Sequence, residues 1–130
     1  MRPLVPVGAS ASAAVLLVLG SLTACSVDAK NATPHSTAFA FSGDTLDVRA
    51  HDVPTDLVAA DREDVEVTRW FDAKAGSKKT LVWKLHGGVL DLDARCKGLA
   101  LCDARFRVEV PRDVTVLRDG RPTKLKGAKH

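Results

Sequence analysis

Two adjacent glycines, Gly87 and Gly88, constrain the fold of this chain more than any other feature. Both can adopt positive φ, which a two-residue type I′ hairpin turn requires. A turn centred there makes apolar residues face apolar ones and opposite charges face each other, and a one-residue slip would lose this agreement. The facing pairs are Trp83 with Leu92, Lys84 with Asp91, and Leu85 with Leu90. The sequence therefore predicts an antiparallel hairpin in this register, with Asp91 and Asp93 on its solvent face.

Apolar and polar residues alternate in several further segments between residues 38 and 117, a pattern typical of half-buried β-strands. The apolar members of these segments are Leu46, Val48, Ala50, Val65, Val67, Phe106, Val108 and Val110. A final short strand is predicted at about residues 113–117, whereas Leu57 to Ala60 fits either a strand or a helical turn. The predicted fold class is all-β, as a small antiparallel β-sandwich or an incomplete β-solenoid.

The N-terminal 24 residues have the three parts of a secretory signal: a positive charge at Arg2, an apolar centre at residues 13–19, and small residues before Cys25. The stretch Leu22-Thr23-Ala24-Cys25 resembles a lipobox, in which the cysteine receives lipid. We therefore expect residues 1–24 to be a lipoprotein signal peptide and Cys25 to anchor the chain on the extracytoplasmic face of a bacterial membrane. The alternative is an uncleaved membrane span, because the uncharged run is long enough to cross a bilayer.

Lipidation of Cys25 leaves Cys96 and Cys102 as an even pair of cysteines. An extracytoplasmic compartment favours disulfides, so we expect these two residues to be bridged. The short segment between them must then double back, and Gly98 makes a turn easy. The alternative is a metal site with His86, which two cysteines without a second pair support weakly. No metal or cofactor is expected.

Composition divides the chain into four parts. The signal peptide is followed by a polar tether at residues 25–37, the β-rich domain at 38–117 and a basic tail at 118–130. The tail holds five Lys or Arg and one Asp, and is either disordered or in contact with anionic lipid or wall polymer. If the final strand has no partner, its edge is exposed, and the charges of the tail would oppose aggregation there.

No motif in the sequence predicts a catalytic residue. The four histidines, His35, His51, His86 and His130, have no characteristic spacing, and the acidic segment 61–64 lacks the ligand periodicity of a calcium loop. Phe and Trp are few and Tyr is absent, which disfavours a carbohydrate- or base-stacking surface, so no nucleic-acid partner is expected.

The function expected from these features is a membrane-anchored, non-catalytic module for binding, adhesion or structure, with a protein or cell-wall polymer as partner. The alternative is a small cell-envelope hydrolase or another enzyme. A solute-binding subunit of a transporter is disfavoured, because about a hundred residues do not make a two-lobed cleft.

Three segments together resemble a family: residues 64–70, residues 83–92, and the two cysteines leading into the strand at 105–111. They are similar to the opening part of an adhesin-like surface domain of bacterial lipoproteins, and the resemblance covers residues 44–118. It implies a β-solenoid-like stack of short strands, with no functional residues to carry over. Members of the family continue through further strands after turns such as Asp119-Gly120, so the resemblance implies a truncated member lacking the cap that solenoids need for solubility.

Overall fold

The computed structural model describes residues 27–97 and 101–126, which fold into nine β-strands and one short 3₁₀ turn at Ala29–Asn31. The strands are β1 (His35–Phe39), β2 (Thr45–Arg49), β3 (Thr55–Ala60), β4 (Val65–Ala73), β5 (Lys79–His86), β6 (Val89–Cys96), β7 (Cys102–Pro111), β8 (Thr115–Arg118) and β9 (Arg121–Lys126). The all-β prediction is confirmed, and residues 57–60, which the sequence left open, belong to strand β3. Within these ranges no helix is long and apolar enough to cross a membrane.

The strands form a four-stranded sheet in the order β1-β4-β7-β3 and a five-stranded sheet in the order β5-β6-β2-β8-β9. Strand β2 runs parallel to β6 and β8, and β3 runs parallel to β7, whereas the remaining pairs are antiparallel. Both sheets therefore contain parallel as well as antiparallel pairs, whereas the β-sandwich predicted from the sequence was antiparallel. The chain crosses between the sheets repeatedly, so strands that are distant in sequence become neighbours and can run in the same direction.

The hairpin of β5 and β6 has the predicted turn and register. Gly87 and Gly88 have φ of 58° and 81°. Across the strands Trp83 faces Leu92, Lys84 faces Asp91 and Leu85 faces Leu90. The Gly88 carbonyl also accepts a hydrogen bond from the Asp47 N–H at 2.8 Å, which joins the turn to strand β2.

The core lies between the two sheets and consists of the apolar residues that the alternation predicted to point inward. The fully buried members are Leu46, Val48, Val65, Val67, Leu90, Leu92, Phe106, Val108, Val110 and Val116. Burying each of these side chains is worth about 1.5–3 kcal/mol. This core fixes which face of each strand is turned outward.

Two outward-facing carboxylates are nevertheless buried, because neighbouring groups cover and pair with them. Asp93 is only 6% exposed, so its predicted place on the solvent face is wrong. Its Oδ2 lies 2.7 Å from Arg95 Nη2. Asp47 accepts hydrogen bonds from the Arg49 guanidinium at 2.8 and 3.0 Å and from the Gly120 N–H at 2.8 Å. Such partners offset the cost of removing a carboxylate from water.

Regular structure extends beyond the domain boundaries that composition suggested. The 3₁₀ turn and the start of β1 lie within the segment assigned to the tether, and β9 lies within the segment assigned to the basic tail. Asp119 and Gly120, with φ of 53° and 79°, reverse the chain so that β9 pairs with β8. Strand β8 is therefore flanked by β2 and β9, so the condition stated above for an exposed edge, the lack of a partner strand, is not met.

Candidate functional site

A surface depression of about 860 Å³ lies on the outer face of the five-stranded sheet, and we call it the His51 depression. It is lined by Arg49, His51, Lys84, Leu85, His86, Val89 and Asp91. These residues come from β2, β5, β6 and the turn after β2. Strands β2 and β6 pair in parallel with Arg49 facing Asp91, and this pairing brings the lining residues of the two strands together.

His51 reaches this depression through an unusual turn. His51 and Asp52 both have positive φ, 48° and 66°, and the Val53 N–H donates to the Ala50 carbonyl at 2.9 Å. Left-handed conformations at residues other than glycine are uncommon and are often found at functional sites. His51 Nε2 lies 2.6 Å from Asp91 Oδ1, and this contact closes the turn onto strand β6.

The lining of the depression is richer in cationic than in acidic groups. Arg49 and Lys84 carry positive charge, His51 and His86 contribute imidazole rings, and Asp91 is the one carboxylate among the lining residues. The lining contains no Ser, Thr or Cys, so it offers no hydroxyl or thiol nucleophile beside the histidines. The arrangement suits the binding of an anionic group through charge-assisted hydrogen bonds.

The histidines considered in the sequence analysis therefore do not all lie at one site. His51 and His86 share the depression, His35 lies on β1 of the other sheet, and His130 lies outside the described residues. Sequence analysis missed the pairing of His51 with Asp91, because 40 residues separate them and no local pattern links them.

The acidic segment 61–64 is organised around an internal cation, Arg62. Its guanidinium lies 2.7 Å from Asp64 Oδ1, 3.2 Å from Glu66 Oε1 and 3.4 Å from Glu109 Oε1. The hydrogen bond from Arg62 lowers the pKa of Asp64, and the same bond raises the pKa of Arg62. In the described part of the chain, no group of three or more His, Cys, Asp or Glu residues is placed to hold a metal ion.

A second depression, of about 670 Å³, lies on the outer face of the four-stranded sheet. The Arg105 guanidinium stacks 5.1 Å from the centre of the Trp70 ring and lies 3.1 Å from Asp56 Oδ2. Arg118 donates to the Thr55 carbonyl at 3.0 Å. Arg105 is thus engaged with Trp70 and Asp56, and Arg118 with the Thr55 carbonyl.

Cys96 and Cys102 form a disulfide, with their Cα atoms 6.1 Å apart. The bond joins the last residue of β6 to the first residue of β7, and so links the two sheets. We call this end of the molecule the disulfide end. Gly98, proposed above to make the turn, lies outside the described residues.

The first described residues are bound close to the disulfide end. Asp72 and Asp103 face each other across β4 and β7, one pair before Ala73 and Cys102. Asp72 Oδ2 accepts a hydrogen bond from the Asp28 N–H, and Asp103 Oδ2 accepts one from the Ala29 N–H, both at 2.7 Å. Asp28 and Ala29 are therefore docked on the four-stranded sheet.

The predicted lipidation site Cys25 and the predicted signal peptide lie outside the described residues. Comparisons with protein-family models, with curated proteins and with solved structures find no match to this chain.

Proposed function

We propose that this chain is a bacterial surface lipoprotein, anchored through lipid on Cys25, whose all-β domain is a non-catalytic module that binds a protein or a cell-wall polymer. The observation that carries the proposal is the stretch Leu22-Thr23-Ala24-Cys25 after an apolar segment with a positively charged start. Two acyl chains hold a protein stably at a membrane, since each buried CH₂ is worth about 0.8 kcal/mol.

The bridged pair Cys96–Cys102 supports an extracytoplasmic location. Structural disulfides form and persist in oxidising compartments and are rare in the cytosol. The resemblance of residues 44–118 to the adhesin-like surface domain supports a role in binding at the cell surface.

The His51 depression supports the binding role. The cationic side chains of Arg49 and Lys84 and the imidazoles of His51 and His86 line one open face of the domain. A ligand with phosphate or carboxylate groups, as in acidic wall polymers, has the complementary charge.

Metabolic labelling with a fatty acid in a bacterial host tests the anchor. We expect the wild-type chain to incorporate the label and Cys25→Ser to lose it. The matched control is the double variant Cys96→Ser/Cys102→Ser, which removes the other two cysteines and should keep the label. Full labelling of Cys25→Ser would refute lipidation at this residue.

The second candidate function is a small cell-envelope hydrolase, which the 2.6 Å contact between His51 and Asp91 favours. A carboxylate that orients an imidazole is a familiar arrangement for a general base. With no hydroxyl or thiol in the lining for it to deprotonate, the base would have to activate water. Hydrolysis of a cell-wall or ester substrate that His51→Gln abolishes would establish this function in place of the binding module.

A further inference from the structure

Exposed cationic side chains gather at the disulfide end. Four lysines and one arginine there are exposed: Lys74, Lys78, Lys79, Arg95 and Lys97. Leu101 lies beside them. It is a large apolar residue, and it is 50% exposed. The combination of an apolar side chain and surrounding lysines is suited to a surface with an apolar interior and charged headgroups.

The fold brings these residues together because backbone hydrogen bonds join the β4–β5 connection to the β6–β7 connection. The Lys97 N–H donates to the Lys78 carbonyl at 3.0 Å, and the Lys74 N–H donates to the Leu101 carbonyl at 3.1 Å. Ser77 closes the first loop, since its N–H and its hydroxyl donate to the Lys74 carbonyl at 3.1 and 2.7 Å. The cationic residues therefore sit on connected backbone rather than on independent loops.

The carboxylates at this end are engaged with groups of the protein. Asp72 and Asp103 accept the N–H groups of Asp28 and Ala29. Asp93 is buried beneath its ion pair with Arg95. The five exposed cations thus outnumber the acidic groups at the tip of the domain.

Chain length places this end next to the proposed anchor. Asp28, which is docked beside the disulfide end, follows Cys25 by three residues. Three residues span at most about 11 Å even when fully extended. That reach is close to one Debye length, about 8 Å at physiological ionic strength. A lipid on Cys25 would therefore bring the cationic tip within range of headgroup charges.

We propose that the disulfide end docks on the anionic lipid headgroups of the bilayer that holds the anchor, an inference that rests on the proposed lipidation of Cys25. Docking this end directs the opposite end of the domain away from the membrane. The glycines of the β5–β6 turn lie at that opposite end, and strand β9 also runs toward it, since Lys126 pairs with Thr115. Part of the His51 depression, at His86 and Val89, adjoins that turn and would be presented outward.

The first test uses the lipidated full chain reconstituted in vesicles. Lysine acetylation followed by mass spectrometry should show Lys74, Lys78, Lys79 and Lys97 modified at least fivefold more slowly on phosphatidylglycerol-containing vesicles than on phosphatidylcholine vesicles. Lys84 is the matched control, because it is exposed on β5 five residues beyond Lys79. Equal rates for all these lysines on both kinds of vesicle would overturn the docking.

The second test removes the anchor, so that failure of docking and failure of lipidation are distinguishable. In the Cys25→Ser full chain, Lys74→Gln/Lys97→Gln should weaken partitioning onto phosphatidylglycerol vesicles about 25-fold, since each charge near an anionic surface contributes about fivefold. Arg107→Gln/Arg121→Gln removes two exposed cations away from the disulfide end, changes the net charge equally and should have a much smaller effect. Equal losses in the two double variants would overturn docking through this end, whatever the labelling of Cys25 shows.

Discussion

Replacement of Gly87 measures how far the β5–β6 turn supports the domain. Gly87 has φ of 58°, and a Cβ added there would meet no atom within 4 Å, so the whole cost of Gly87→Ala is conformational. The left-handed conformation costs an L-residue about 1–2 kcal/mol. For a domain of this size, that corresponds to a fall in melting temperature of about 4–16 °C. Gly87→Val should cost more, because β-branched residues resist positive φ.

Thermal unfolding of the purified variants, followed by circular dichroism, provides the measurement. Gly87→Asn is the matched control, since asparagine tolerates the left-handed conformation and should lose much less stability than alanine or valine. The expected order of melting temperature is wild type, Asn, Ala and then Val. If Gly87→Val has the same melting temperature as the wild type, the type I′ turn and the strand register inferred from it are wrong.

Three further predictions concern the disulfide, the Arg62 cluster and the C-terminal strand. Replacing Cys96 and Cys102 by serine should cost about 2 kcal/mol, as expected for a loop this short, and an unchanged denaturant midpoint would contradict that estimate. Arg62→Gln should raise the pKa of Asp64 toward its ordinary range in a carboxyl NMR titration. Because the folded-state pKa of Asp64 is lowered, the stabilisation from this pair is present above the ordinary aspartate pKa and is lost as pH falls through the folded value. Deleting residues 119–130 removes β9, exposes the edge of β8 and should promote association in sedimentation experiments, whereas a monomer at every salt concentration would refute this edge argument.

Much of the fold could be predicted from residues that are close together in the sequence. Alternation of apolar and polar residues has a period of two, which assigns each side chain of a strand to one face of a sheet. The inward residues of β2, β4 and β7 were predicted for this reason. The register of β5 with β6 also follows from sequence, because the two glycines and the facing pairs lie within ten residues of one another.

Tertiary structure alone decided the rest, because the contacts that matter join distant segments. His51 and Asp91 are 40 residues apart, Asp28 and Asp72 are 44 apart, and Ala29 and Asp103 are 74 apart. No periodicity encodes such pairs. The parallel pairing of β2 with β6, the burial of Asp93 and the gathering of lysines at the disulfide end arise only when the two sheets pack, since packing determines which loops meet and which outward side chains are covered.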